Sequence, residues 1–234
     1  MRISVIMATY NGAVYIDQQI RSIVSQLSPT DELIISDDGS TDETIQLVAS
    51  YKQRYPQIII TEGEKRGSAR NFASAVPKCI GDLILFSDQD DIWYPNKIDV
   101  MRSFFLDNKD ILLAMHNADY CDANGKKKDG DIFRRRHPMR GYYSNLLHSS
   151  YYGCCMGAKK DFLMRYCSFI DDNTPFDQFF GLMAEKEKKT AFINSVLITH
   201  RYHGFNQSKK LNIFQQIIFR YRLFLVTQRA SRNN

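Results

Sequence analysis

Three carboxylates stand within four residues, at Asp88, Asp90 and Asp91, directly after the short apolar run Leu83–Phe86. Like charges crowded this closely repel one another, so the empty cluster is high in energy. A hard divalent cation, Mn²⁺ or Mg²⁺, relieves the repulsion through oxygen ligands. Aspartate also suits solvated turns, and a plain turn after a strand is the competing reading. Position favours the metal. The acids lie at the carboxyl end of a buried strand, where open α/β sheets bind their ligands.

Three further places fall where a ligand on that edge would be touched. Thr9-Tyr10-Asn11 follows a first apolar run, Asp37-Asp38 follows a second, and Arg70 lies early in a helical segment. An aromatic ring, a carboxylate and a guanidinium fork suit a nucleotide: a face for the base to stack on, an acceptor for base N–H or ribose hydroxyls, and donors for phosphate. Each has a plainer role as well. Tyr10 can pack, Asp38 can hold its turn, and Arg70 can lie on a solvated helix face. Together, beside an Asp-rich cluster, they point to a nucleotide. Neither GxGxxG nor GxxxxGK[ST] occurs, so a dinucleotide fingerprint and a P-loop are both excluded as the phosphate site.

The elements that must position these residues follow from hydrophobic period. Arg2–Ala8 reads as a strand. Ala13, Val14, Ile16, Ile20, Ile23, Val24 and Leu27 recur at helical spacing, and Ser28-Pro29 ends that helix. Glu32–Ser36 is a second strand. Ser40 with Glu43 fits a capping box, which predicts a helix from there to about Arg54. Gln57–Thr61 is a third strand, Gly67–Phe72 opens a helix, and 82–87 is a fourth strand. This β-α-β-α-β-α-β order predicts an α/β fold with a mostly parallel central sheet flanked by helices. Beyond Pro95 the alternation loosens. Asn96–Asn108 reads as helix, Ile111–His116 as strand, and Asn124-Gly125 as a hairpin-type turn, while Lys126–Lys128 and Arg134–Arg136 flank a loop. Those basic runs suit solvated surface, with contact to an anionic acceptor as the alternative. Tyr151–Ala158 predicts a strand leading into a helix, Thr174–Asp177 a helix start, and Ala191–Ile198 a late strand.

Composition bounds the function classes. The 234 residues suffice for one domain or two closely packed halves. The five cysteines, Cys79, Cys121, Cys154, Cys155 and Cys167, show no CxxC spacing and are expected as reduced thiols of a cytoplasmic chain. No run matches a secretory leader, and none approaches the ~20 apolar residues of a membrane span. The net charge of +5 is uneven: residues 209–234 hold six bases and no acid, leaving residues 1–208 close to neutral. A body without net positive charge argues against a nucleic-acid partner.

Ile3–Asn11, Ile35–Asp42 and Phe86–Asp91, in that order, resemble family 2 glycosyltransferases of the GT-A fold. The resemblance covers residues 1 to roughly 206. The Ser87-Asp88-Gln89-Asp90-Asp91-Ile92-Trp93 version is similar to the rhamnosyltransferase-like branch that builds bacterial surface polysaccharides. It implies an inverting transfer from a nucleoside-diphosphate sugar, a dTDP-rhamnose or a UDP-sugar, to a glycan or lipid-linked glycan acceptor. Thr9, Tyr10, Asn11, Asp38, Arg70 and Asp88 would bind the donor, and Asp88 and Asp90 would be the metal acids. Gly153-Cys154-Cys155-Met156-Gly157 matches the small-residue strand beside the acceptor. Phe176-Asp177-Gln178-Phe179 falls where relatives carry the base, making Asp177 the catalytic candidate. His203, in Arg201–Asn206, would reach the metal or diphosphate. Thr174-x-x-Asp177 is also a capping-box pattern, so a helix cap is the competing role for Asp177. The expected organisation is a donor half at about 1–95, an acceptor half at about 96–208, and a tail at 209–234. A binding module that has lost catalysis is the alternative function.

The tail carries Ile213, Phe214, Ile217, Ile218, Tyr221, Leu225 and Gln228 at helical spacing, widened by Phe219, Leu223, Phe224 and Val226. Two readings stand. One is a helix packed on the core. The other is an interfacial helix on an anionic membrane, peripheral at the inner face of the cell.

Overall fold

The first four strands form a wholly parallel sheet, apolar on both faces except at its edge strand, where Ile59 and Glu62 are exposed. They are β1 (Ile3–Thr9), β2 (Glu32–Asp37), β3 (Ile58–Glu62) and β4 (Leu83–Ser87), in spatial order β3-β2-β1-β4. Every residue of β2 and β4 is buried. Strands covered on both sides read as continuous apolar runs, which is how they stand in the sequence. The helices α1 (Ile16–Val24), α2 (Thr44–Arg54) and α3 (Ser68–Ala75) connect them. The structure, a computed structural model, describes residues 1–203 and 212–232.

The second half extends the same sheet with mixed polarity. In chain order come β5 (Ile92–Trp93), α4 (Lys97–Asp107), β6 (Leu113–Cys121), β7 (Lys127–Asp131), α5 (Ile132–Arg136) and α6 (Tyr142–Leu147). They are followed by β8 (Met156–Lys159), α7 (Lys160–Tyr166), α8 (Phe176–Lys186), β9 (Thr190–Arg201) and α9 (Ile213–Arg232). β8 pairs antiparallel with both β4 and β6, β9 runs parallel to β6, and β5 closes the far edge on β9. The Asn124-Gly125 turn joins β6 to β7 as a hairpin, with Gly125 at φ +81°. Its basic flanks are partly engaged. Lys127 Nζ meets Tyr94 Oη at 2.6 Å and Asp119 Oδ2 at 3.0 Å, and the Arg136 guanidinium donates to the Tyr152 hydroxyl.

Several boundaries differ from the sequence reading. No capping box forms at Ser40: its hydroxyl donates to Asp37 Oδ1, and α2 begins only at Thr44, where Asp42 accepts the Thr44 N–H. An adjacent carboxylate that collects the Gly39 and Ser40 amides outcompetes the helix end for Ser40. Ala13 and Val14 precede α1, with Val14 exposed, and the 111–116 strand runs on to Cys121. All five cysteines are free and buried. The motif residues Gly204, Phe205 and Asn206, the bases Lys209 and Lys210, and the expected boundary at 208 lie outside the described residues.

Two glycines let α8 approach the sheet. A Cβ on Gly181 would lie 2.2 Å from the Tyr151 ring, and one on Gly153 would lie 2.3 Å from the Phe176 ring. Tyr151 cannot easily yield, because its hydroxyl donates to Glu185 Oε1 at 2.6 Å. Glu185 also accepts from Thr190 Oγ1 and the Gly141 amide, tying α8 to β9 and α6. Gly181→Ala is therefore expected to lower stability by about 1–3 kcal/mol through overpacking, despite the better helix propensity of alanine. A melting temperature equal to wild type would show that the Tyr151 ring moves freely.

Candidate active site at the carboxyl edge of the sheet

The parallel register brings four strand ends to one edge. Thr9 pairs with Asp37, Asp37 with Glu62, and Met7 with Ser87, so whatever follows β1, β2, β3 and β4 opens on the same cleft. Asp88, Asp90 and Asp91 follow β4, and each offers an oxygen within 4.8 Å of the others. Phe86 and Phe176 pack at 5.0 Å between centroids, their rings tilted by 54°, which brings the start of α8 over the end of β4. Asp177 therefore comes close to Asp88, near enough for its charge to raise the Asp88 pKa.

The three acids are not equivalent. Asp91 is buried, and its Oδ1 meets His200 Nδ1 at 2.8 Å and the Arg201 amide at 3.1 Å. Burial alone would raise Asp91, but the His200 charge and hydrogen bond outweigh it and hold its carboxyl below the usual range. His200 is pushed up to about 10: burial opposes its charge, and the Asp91 carboxylate overcomes that. Asp91 is thus already neutralised by an imidazolium. Asp88 is pushed up to about 8, by burial first and then by the charges of Asp91 and Asp90. Asp90 is raised by burial and by Asp91, against the pull of His203, whose Nε2 lies 2.6 Å from Asp90 Oδ2.

This donor set fits a hard cation. Three carboxylates converge, two of them are held above their ordinary pKa by burial and mutual repulsion, and Asp91 Oδ2 is buried without a partner. A second group, Asp91, Cys154 and His200, also lies within 4.8 Å, with the Asp91–His200 pair inside it and the Cys154 thiol held well above its usual pKa by its Cys155 contact and by burial. His203 reaches the first cluster through Asp90 and stacks on Tyr15 at 4.9 Å.

Asp177 lies at the start of α8 without the capping box its spacing suggested. Thr174 Oγ1 donates to Asp171 instead, and Asp177 Oδ1 accepts the Gln178 N–H at 2.7 Å. Burial pushes the Asp177 carboxyl up to about 6 against the lowering effect of the Gln178 and Gly153 amides.

On the nucleotide side the residues divide. The Tyr10 ring is 52% exposed, and its backbone is held at both ends by the Gln89 amide, with 3.0 Å contacts to N and O. Asn11, at φ 48°, accepts the Thr41 N–H and donates its own N–H to Ser40. Thr9 is buried and donates to Asp37 at 3.0 Å. Asp38 holds the loop before α3, its two oxygens accepting the Lys65 and Gly67 amides at 2.7 Å each. Arg70 pairs with Glu64 and donates to the Ile170 carbonyl. Asp38 and Arg70 thus shape the cleft wall through the 63–70 loop, and their polar groups are already engaged.

Arg201, which sequence reasoning quoted without assigning a role, clamps the acidic loop. Its guanidinium donates to the carbonyls of Asp90 and Ala123 and to Gln18 Oε1, at 2.8, 2.9 and 2.8 Å, and lies over the Tyr15 ring. Gln89 and His200 were missed as well; Asp91, counted in the acidic cluster, also pairs with His200. The available signal was the pairing of a Gln inside an Asp cluster with a late His-Arg-Tyr-His run.

Residues 4–167 match the profile of Glycosyl transferase family 2, which is more than half of the chain. A dTDP-rhamnosyl transferase, RfbG of Shigella flexneri, is 32% identical over 181 residues, covering 71% of this chain and 58% of that protein. The UDP-Glc:alpha-D-GlcNAc-diphosphoundecaprenol beta-1,3-glucosyltransferase WfgD of Escherichia coli is 27% identical over 219 residues, covering 92% of this chain and 82% of that protein. Among solved structures, the mannosyltransferase PcManGT of Pyrobaculum calidifontis, in complex with GDP-Man and Mn2+, superposes with a TM-score of 0.62 at 15% identity. It covers 97% of this chain and 73% of that one. The chain spans between 20% and 58% of the length of the curated relatives it matches at 32–34% identity. The fold is the GT-A arrangement, and the chain belongs to glycosyl transferase family 2.

Proposed function

We propose that this protein is a metal-dependent inverting glycosyltransferase of bacterial surface-polysaccharide synthesis. It moves a sugar from a nucleoside diphosphate, a dTDP-rhamnose or a UDP-sugar, to a hydroxyl of a lipid-linked glycan. The observation that carries this reading is the convergence of Asp88, Asp90 and Asp91 at the carboxyl edge of the sheet, with the start of α8 packed over it through the Phe86–Phe176 contact. The activities of RfbG and WfgD support the donor and acceptor classes.

Thr9, Tyr10, Asn11, Asp38 and Arg70 form the nucleotide side of the cleft, with the exposed Tyr10 ring available to the base. Asp88 and Asp90, beside His203, would hold a divalent cation, Mn²⁺ or Mg²⁺, which when bound would supply positive charge for the departing diphosphate. Asp177 accepts the proton of the acceptor hydroxyl as its oxygen attacks the anomeric carbon from the face opposite the diphosphate. The new C–O bond forms as the bond to the diphosphate breaks, and the single displacement inverts the anomeric centre.

The test is a thermal-shift panel of dTDP-, UDP- and GDP-sugars, each with and without Mn²⁺. A donor at about 100 times its Kd stabilises the folded state by about 2.7 kcal/mol. In a chain of this size that raises the Tm by several degrees, on the order of 2–4 °C per kcal/mol. The expected result is a shift with one nucleotide class that needs Mn²⁺. No shift with any nucleotide sugar, with or without metal, would remove the donor from the reading.

A further inference from the structure

We propose that the outer face of α9 is a membrane-docking surface, which seats the protein on an anionic lipid bilayer without crossing it. The helix has two apolar faces. Leu223, Thr227 and Ala230 are buried on one side, within about 60° of arc at 100° per residue. This side is fastened to the body: Lys186 Nζ donates to the Thr227 carbonyl and the Ser231 hydroxyl, Tyr142 Oη meets Thr227 Oγ1 at 2.6 Å, and the Arg220 guanidinium donates to the Leu146 carbonyl. Leu223, expected to widen the face of Ile217, lies about 120° of arc from it on the covered side.

The other side is bare. Ile213, Phe214, Ile217, Ile218, Tyr221 and Leu225 fall within about 140° of arc and are 46–75% exposed. Six large apolar side chains in one stripe ~18 Å long, at 1.5 Å per residue, are more than a scattered surface minimum requires. Tyr143 and Leu147 of α6, the helix bonded to α9, are exposed as well.

Charge selects the occupant. Arg222 and Arg229 border the stripe and Arg232 prolongs it; all three are exposed, and the helix carries no acid. A second copy docking face to face would bring together two helices that hold arginines and no carboxylate between them. An anionic headgroup layer matches both features at once, taking the apolar stripe at the acyl boundary and the guanidinium groups at the phosphates. Among the described residues no helix is long and apolar enough to cross a membrane, so the geometry is that of lying on it. This inference deepens the lipid-linked acceptor reading. Its test uses neither donor nor acceptor, so the two can fail separately.

The experiment is co-sedimentation of the full chain with vesicles of phosphatidylcholine alone and of phosphatidylcholine containing about one third phosphatidylglycerol. The expected result is retention on the anionic vesicles only, weakened by high salt. Each of Arg222→Gln, Arg229→Gln and Arg232→Gln should lower the partition about fivefold, and the triple variant on the order of 10²-fold. Ile217→Asp/Ile218→Asp should abolish retention while the melting temperature and circular dichroism stay at wild-type values. Should that variant fail to fold, Ile217→Gln/Ile218→Gln gives the same readout with a milder change. The inference is overturned if the wild-type chain ignores anionic vesicles, or if the folded apolar-face variants still bind them. It is equally overturned if light scattering shows a dimer that the same variants dissociate while vesicle binding is absent, which assigns the stripe to a second copy.

Discussion

Asp177→Asn is expected to reduce sugar transfer by about 10²–10⁴-fold, the range a general base contributes, while leaving the fold and donor affinity near wild type. The substitution removes proton acceptance while leaving an acceptor oxygen on the side chain. Asp177 Oδ1 accepts the Gln178 N–H, and an asparagine carbonyl oxygen accepts that bond equally well. The amide also removes a carboxylate that burial disfavours. Stability should therefore change by less than about 1 kcal/mol, the scale of a helix cap. An Asp177→Asn protein that is destabilised yet fully active would make the residue a cap and nothing more.

The same residue sets a pH dependence. A base must be unprotonated to act, and burial pushes Asp177 up to about 6. Transfer should rise with pH through an inflection near that value and fall about tenfold per unit well below it. Measured as kcat/KM against pH, the acid limb should disappear in Asp177→Asn, whose residual rate has no carboxyl left to titrate there. A limb that persists unchanged in the variant belongs to another group.

Much of this was legible in the residues. The alternation of apolar runs and helical periods gave the parallel half of the sheet, because strands buried on both faces must be apolar throughout, and the acids after Phe86 fell at its carboxyl edge. What was hidden depended on partners distant in the chain. Asp38 and Arg70 have the right chemistry for a nucleotide, but their polar groups meet Lys65, Gly67, Glu64 and Ile170. No spacing rule announces a loop amide 27 residues away. The clamp of His200 and Arg201 on the acidic loop spans more than a hundred residues and was likewise invisible. The tail was ambiguous for a different reason. A helix that is apolar over much of its circumference does not declare which arc is covered, and only the contacts of Thr227 and Leu223 separate the two faces.

Neighbouring acids should give opposite results, and the contrast isolates the metal. Asp90→Asn is expected to cut turnover by at least about 10²-fold, the scale of losing one strong transition-state stabiliser, with folding intact. The reason is local. Asp90 is held above its ordinary pKa by burial and by Asp91, so an amide of the same shape relieves repulsion in the empty site. The Arg201 bond to the Asp90 carbonyl is untouched by the side-chain change. Asp91→Asn should do the reverse to the fold. It strands His200, whose charge Asp91 balances at 2.8 Å, and breaking a buried pair by removing one partner costs about 3–5 kcal/mol. At roughly 2–4 °C per kcal/mol, the Asp91→Asn melting temperature should drop well below that of Asp90→Asn. Mn²⁺ should raise the melting temperature of wild type, and it should do so far less in Asp90→Asn. Wild-type transfer should stop in EDTA and return with Mn²⁺ or Mg²⁺. Full activity in EDTA, together with an Asp90→Asn protein that still responds to Mn²⁺ like wild type, would place the metal elsewhere and leave Asp90 as a partner of His203 alone.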